Sequence, residues 1–132
     1  MGLVKAEIEL VNSGDVTLFE NGVIAEDKIR RIKVIALVYT GAVMLAINET
    51  IKNQLGLKAR WKRIAQLADG SEKELEVVGP IEVYFKDRVS STNAMVLPGD
   101  QEVSLGSIPM EEMDVLVHPL KEELIVNPAH PN

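Results

Sequence analysis

Apolar and charged residues alternate with period two at the start of this chain: Val4, Ala6, Ile8 and Leu10 fall on one side, Lys5, Glu7 and Glu9 on the other. Successive side chains of a strand point to opposite faces, so the pattern fits a strand with one buried face, whereas a helix would scatter the same apolar residues around its axis. Leu75 and Val77 against Glu74 and Glu76 repeat it. The chain has 132 residues, enough for one domain over 1–132, because a chain of this size buries roughly two thirds of its unfolded surface in a single core. A single all-β domain is the expectation.

Turn chemistry divides the rest. Asn12-Ser13-Gly14-Asp15 supplies turn residues between the first strand and a second one predicted at Val16 to Phe19, with Asn21-Gly22 as a further turn, so the opening third reads as hairpin-like. Ile32 to Val38 is apolar except for Lys33 and rich in β-branched residues, which predicts a central strand covered on both faces. One helix follows: Asn48 caps it, Glu49 suits its positive end, Ile51 and Leu55 share a face, and Gly56 stops it. Trp61 to Ala68 and Glu72 to Val78 flank Asp69-Gly70-Ser71, which predicts a protruding hairpin. Gly79-Pro80, Lys86-Asp87-Arg88 and Pro98-Gly99-Asp100 punctuate strands at Ile81 to Phe85 and Val89 to Leu97. Pro109 opens a short helix with Met110 and Met113 on one side, and strands at Asp114 to Val117 and Glu123 to Val126 close the chain. Strand spacing of this kind predicts a barrel or sandwich.

Composition removes several functions. The net charge of -6 repels a phosphate backbone, so no nucleic acid is expected as partner. Lys58, Arg60, Lys62 and Arg63 cluster around Trp61 and read as a solvated strand edge. Cysteine is absent, and two histidines, His118 and His130, do not complete a structural zinc site, so neither metal nor cofactor is expected. Each sits beside a proline and reads as an ordinary surface or tail residue. The uncharged stretch Val34 to Asn48 is about fifteen residues, short of the roughly twenty a membrane helix needs. No membrane association is expected, and with no apolar signal region at Met1 to Ala6 a cytoplasmic protein is the default. Met44, Met95, Met110 and Met113 read as gap-fillers in a core short of aromatics.

The most unusual local context is Val38-Tyr39-Thr40-Gly41-Ala42, a small-residue turn between apolar stretches. Its backbone groups need partners, so it is either a rigid structural corner or a site. Ala36-Leu37-Val38-Tyr39-Thr40-Gly41-Ala42 resembles the active-site segment of retropepsin-like aspartic peptidases, in which an apolar strand runs into Asp-Thr-Gly-Ala; here Tyr39 stands in the Asp position. The helix after the turn, the hairpin at Asp69-Gly70 where that family has its flap, and Ser104-Leu105-Gly106 in place of the apolar-apolar-Gly triplet behind the site follow in the same order. Leu105 to Asp114 and Leu124 to Pro131 resemble the C-terminal pattern of the small bacterial members.

The resemblance implies a closed β-barrel lobe of six to eight strands with one or two short helices. It also implies a homodimer acting on a peptide or protein substrate, since one chain holds one copy of the motif and the chemistry takes two. Two carboxylates that close share a proton; one activates water while the other protonates the carbonyl oxygen, without metal or cofactor. In that scheme Tyr39, Thr40, Gly41 and Ala42 make up the active-site loop, Thr40 braces the two turns across the axis, Gly41 lets a peptide backbone approach, and Asp69 and Gly70 cap the substrate. Tyr39 breaks the scheme. A phenol with a reference pKa of about 10 donates protons near neutral pH and cannot activate water. No Asp or Glu occurs between Lys33 and Glu49 to replace it. The expectation is a disabled peptidase, a pseudoenzyme; the alternatives are a non-catalytic dimeric module that binds extended segments by strand addition and a purely structural role.

Overall fold

The structure, a computed structural model, describes residues 3–67 and 69–131. It is mostly β. The chain runs β1 (Val4–Asn12), α1 (Ser13–Glu20), a 3-10 turn (Glu26–Lys28), β2 (Arg31–Val38), β3 (Leu45–Asn48), α2 (Glu49–Leu55) and β4 (Ala59–Gln66). It continues through β5 (Glu72–Phe85), β6 (Arg88–Leu97), β7 (Ser104–Leu105), α3 (Ser107–Met113), β8 (Val115–His118) and β9 (Glu123–Val126).

Seven strands form one large mixed sheet in the order β1-β2-β7-β3-β6-β5-β4, while β8 and β9 pair separately. The sheet is not a clear barrel. Strand β1 nevertheless has partners on both sides: it pairs with β2 along its length, and Glu9 to Asn12 also pair with Ile81 to Tyr84 of β5. Two contacts are parallel, β2 with β7 and β3 with β6, which brings distant parts of the chain together around residues 38–46. Ile8, Leu10, Leu45, Ile47, Leu55, Ile81, Leu105 and Met113 are fully buried between these elements. Each such side chain contributes about 1.5–3 kcal/mol of transfer free energy.

Four expectations are corrected. Val16 to Phe19 is helical, not a strand, because the Asn12 side chain caps α1 by accepting the Asp15 N–H at 3.0 Å, and Asp15 is held by Arg30. The start of the chain is therefore strand and helix, not a hairpin. Ile32 to Val38 is a strand between two others, but it is covered on one face: Ile35 is 57% exposed, since no layer lies over it. Gly79-Pro80 does not separate two strands; β5 passes through it with a register shift between Val78 and Ile81, the extra residues bulging out of the ladder. There are three α-helices where one or two were expected, and Pro109 is the third residue of α3.

The helix at Asn48 forms as read: Asn48 accepts the Ile51 N–H at 2.9 Å, Ile51 and Leu55 are buried, and Gly56 ends it at φ 63. The strands flanking Asp69-Gly70, the strand ending at Leu97 and the closing pair also form, while Ala68, Met1 and Gly2 lie outside the described residues. Polar side chains fasten α1 and α2. Asp15 accepts from Arg30 Nε and Nη2 and from the Arg30 N–H, each at 2.9 Å, and Asn12 Nδ2 donates to the Leu55 carbonyl at 2.7 Å.

Candidate functional site

Strand β2 ends at Val38, and the chain turns through Tyr39-Thr40-Gly41 before re-entering the sheet. What fixes this turn is a second backbone. Residues 103–108 run beside it: Leu37 donates to Val103 O at 2.8 Å, Tyr39 to Leu105 O at 3.0 Å, Ser107 to Ala42 O at 2.9 Å and Ile108 to Val43 O at 3.0 Å. The turn is thus tied on both flanks to one segment, which passes close enough that only glycine fits at 106. A β-carbon there would overlap the Met44 carbonyl oxygen and lie 2.8 Å from the Val43 carbonyl carbon.

Tyr39 is 56% exposed and its ring lies over Gly41, whose added β-carbon would meet Tyr39 Cε1 at 2.7 Å. Among the described residues, neither the Tyr39 hydroxyl nor the Thr40 side chain has a hydrogen-bond partner, and both residues are exposed. Ala42 and Tyr39 line a cavity of about 380 Å³ with Met44, Leu45, Leu75, Met95 and Leu97. The hairpin of β4 and β5 forms its other side through Arg63, Ala65, Gln66 and Leu67. Gln101 and Ser104 add polar atoms.

Of the residues singled out in the sequence, Tyr39 and Ala42 line this cavity, Gly41 lies beneath the Tyr39 ring, and Thr40 lines two further hollows shared with Val117. Asp69 and Gly70 sit at the exposed tip of the hairpin and are not among the residues lining the cavity. Asp69 instead closes its own turn: its Oδ1 accepts from the Ser71 N–H at 2.9 Å and from Ser71 Oγ at 2.5 Å, and these bonds hold its carboxyl below the usual range. The hairpin residues that reach the cavity are Ala65, Gln66 and Leu67, with Arg63 and its cross-strand partner Leu75. Strand alternation through 63 and 65 is the signal that would have found two of them.

Met110 and Met113 are core residues, but Met44 and Met95 are half-buried and belong to the cavity wall. Of the basic cluster, Lys58 precedes β4 and Arg60, Lys62 and Arg63 lie on it, the last strand of the ladder, with Arg60 5.6 Å from the centroid of the Trp61 ring. His118 Nδ1 accepts from the Leu120 and Lys121 N–H groups, and His130 Nδ1 lies 2.7 Å from Asp114 Oδ2, so both organise turns.

Chemically the cavity wall is mostly aliphatic and includes one phenol, Tyr39, and one guanidinium, Arg63. The residues lining it include no carboxylate, so it offers no general base. Among the described residues no cluster of three or more His, Asp or Glu is placed to hold a metal ion, and no helix is long and apolar enough to cross a membrane. The sequence matches no protein-family model and no curated protein.

Proposed function

We propose that this chain is a retropepsin-like aspartic peptidase homologue whose homodimer holds an extended peptide segment without cleaving it. The observation that carries the reading is the passage of residues 103–108 along both flanks of the Tyr39-Thr40-Gly41 turn, with the β4–β5 hairpin bounding the same cavity. That combination of turn, threaded segment and overhanging hairpin is what the resemblance implies for an active-site loop with its flap.

Two copies are part of the reading, because each chain brings one turn. The apolar surface around the turn supports it: Tyr39, Val43 and Ile108 are exposed, Ile108 and Val43 are joined by a backbone hydrogen bond, and Leu3 shares a hollow with Tyr39, Thr40 and Val117. Contiguous apolar surface of this kind marks interaction sites. Peptide binding by strand addition suits a trough with exposed backbone at its edges and aliphatic walls.

Hydrolysis is lost in this reading because twofold symmetry replaces both carboxylates by phenols at once. Loss of general acid–base assistance costs about 10²–10⁴ in rate for a single group. The test is Tyr39→Asp. The variant is expected to cleave casein at acid pH in a pepstatin-sensitive manner, while the unsubstituted chain does not. Pepstatin-sensitive turnover by the unsubstituted chain would overturn the disabled reading, and a folded, dimeric Tyr39→Asp variant that stays inert would overturn the peptidase assignment. A binding module unrelated to peptidases is the second reading. It is favoured by the lack of any carboxylate in the cavity wall, and it predicts peptide binding together with an inert Tyr39→Asp variant.

A further inference from the structure

Arg63 is the one charged residue in the wall of the cavity. Its closest polar contact is Met44 Sδ, 3.4 Å from Nη1, and it has no carboxylate partner among the described residues. The chain holds 20 Asp and Glu against 14 Lys and Arg, and neighbouring cations do find acids: Lys62 lies 3.7 Å from Glu74 and Lys52 lies 2.6 Å from Glu76. Arg60, on the same strand, turns instead to the Trp61 ring. The register explains the exception. Arg63 pairs with Leu75 across β4 and β5, so its side chain leaves the sheet on the face of Leu75 and Ala65, toward Met44, and not on the face where Glu74 and Glu76 lie.

A guanidinium kept beside an aliphatic wall without an acid is an open donor fork. Arg63 is exposed, and its five N–H groups suit a planar carboxylate. The Tyr39 hydroxyl and the Gln66 and Gln101 amides in the same wall carry no full charge, so an anion entering here meets one cation and no fixed negative group.

We propose that the cavity selects a peptide segment in which an acidic side chain lies next to an aliphatic one, the aliphatic group filling the trough between Leu75, Met95 and Leu97 and the carboxylate pairing with Arg63. This rests on the peptide-binding reading above and adds to it a charge preference.

The test uses short fluorescein-labelled peptides with a central Leu, carrying Glu, Gln or Lys at each position flanking it, titrated against the full chain by fluorescence anisotropy. Glu is expected to bind about three- to tenfold tighter than Gln at one flanking position at low salt, with Lys weakest and the gap closing at high salt. Arg63→Gln should abolish the Glu preference, so that Glu and Gln peptides bind alike; Arg63→Lys should keep part of it. Equal affinity for Glu and Gln peptides, or a preference that survives Arg63→Gln, would overturn this inference alone. Failure of every peptide to bind would overturn both this inference and the peptide-binding reading beneath it.

Discussion

Gly106 passes so closely beneath Met44 that the Met44 carbonyl oxygen occupies the space a β-carbon at 106 would take. The obstruction is backbone, with the Ala42 carbonyl oxygen also 2.9 Å away, and backbone tied into hydrogen bonds cannot swing aside as a side chain can. Gly106→Ala is therefore expected to cost about 3 kcal/mol or more, at the upper end for overpacking. Urea unfolding followed by the fluorescence of the single tryptophan measures it. The same change should abolish peptide binding in the fraction that folds, because the Tyr39 turn must move.

Gly56 meets two obstacles at once. It ends α2 at φ 63, and a β-carbon would overlap the Arg30 guanidinium, 2.5 Å from Cζ. Left-handed backbone costs a residue with a side chain about 1–2 kcal/mol. Displacing Arg30 also weakens its bonds to Asp15. Gly56→Ala should lower stability by about 2–3 kcal/mol, and by about 1 kcal/mol less when Arg30→Ala has already removed the clash. A double-mutant cycle in urea reads the difference.

The Asp15 carboxyl is held below its ordinary value of 3.8, chiefly by the side-chain bonds from Arg30, against the opposing effect of burial. A carboxyl depressed on folding stabilises the protein fully above its unfolded value and loses that contribution as pH falls through the folded one. Asp15→Asn should therefore be less stable than the unsubstituted chain at pH 6, by about 2 kcal/mol. The gap should shrink below about pH 4. Comparing the two proteins cancels the similar acid-side contributions of Asp69 and Asp114, which Ser71 and Asn127 respectively also lower. A gap that stays constant to pH 2 would contradict the assignment.

Asn12 serves two helices with one amide. Its oxygen accepts from the first turn of α1 and its nitrogen donates to the last carbonyl of α2. Asn12→Ala loses a cap and leaves a buried carbonyl without that partner, an expected loss of about 2–3 kcal/mol. Asn12→Asp keeps the cap and loses the donor, so it should fall between the two in thermal denaturation.

These particulars mark where the sequence was legible. β1 could be read because its alternation is regular and one face is buried, and α2 because cap, apolar pair and terminal glycine lie within a few residues. α1 is not legible in the sequence because only part of its support, the Asn12 cap, is local. Arg30 fixes Asp15 from fifteen positions away, and nothing in Val16 to Phe19 records it. β2 is legible as a strand but not in its burial, because apolar composition suggests cover on both faces whereas Ile35 faces outward. At the site, Thr40-Gly41 stands out by residue type and Ser104-Leu105-Gly106 only through the resemblance, and the two segments lie side by side. Arg63 did not stand out, because its significance is the absence of a partner, which only the pairing of β4 with β5 reveals.

Strand β4 ends the ladder with one side bonded to β5 and the other open. An open rim of amide and carbonyl groups invites any extended chain, including another molecule of the same protein. Here four cations line it: Lys58 just before the strand, and Arg60, Lys62 and Arg63 within it. Two such rims laid together would press like charges against one another, so runaway stacking into filaments is opposed, while a visiting anionic chain meets no such barrier.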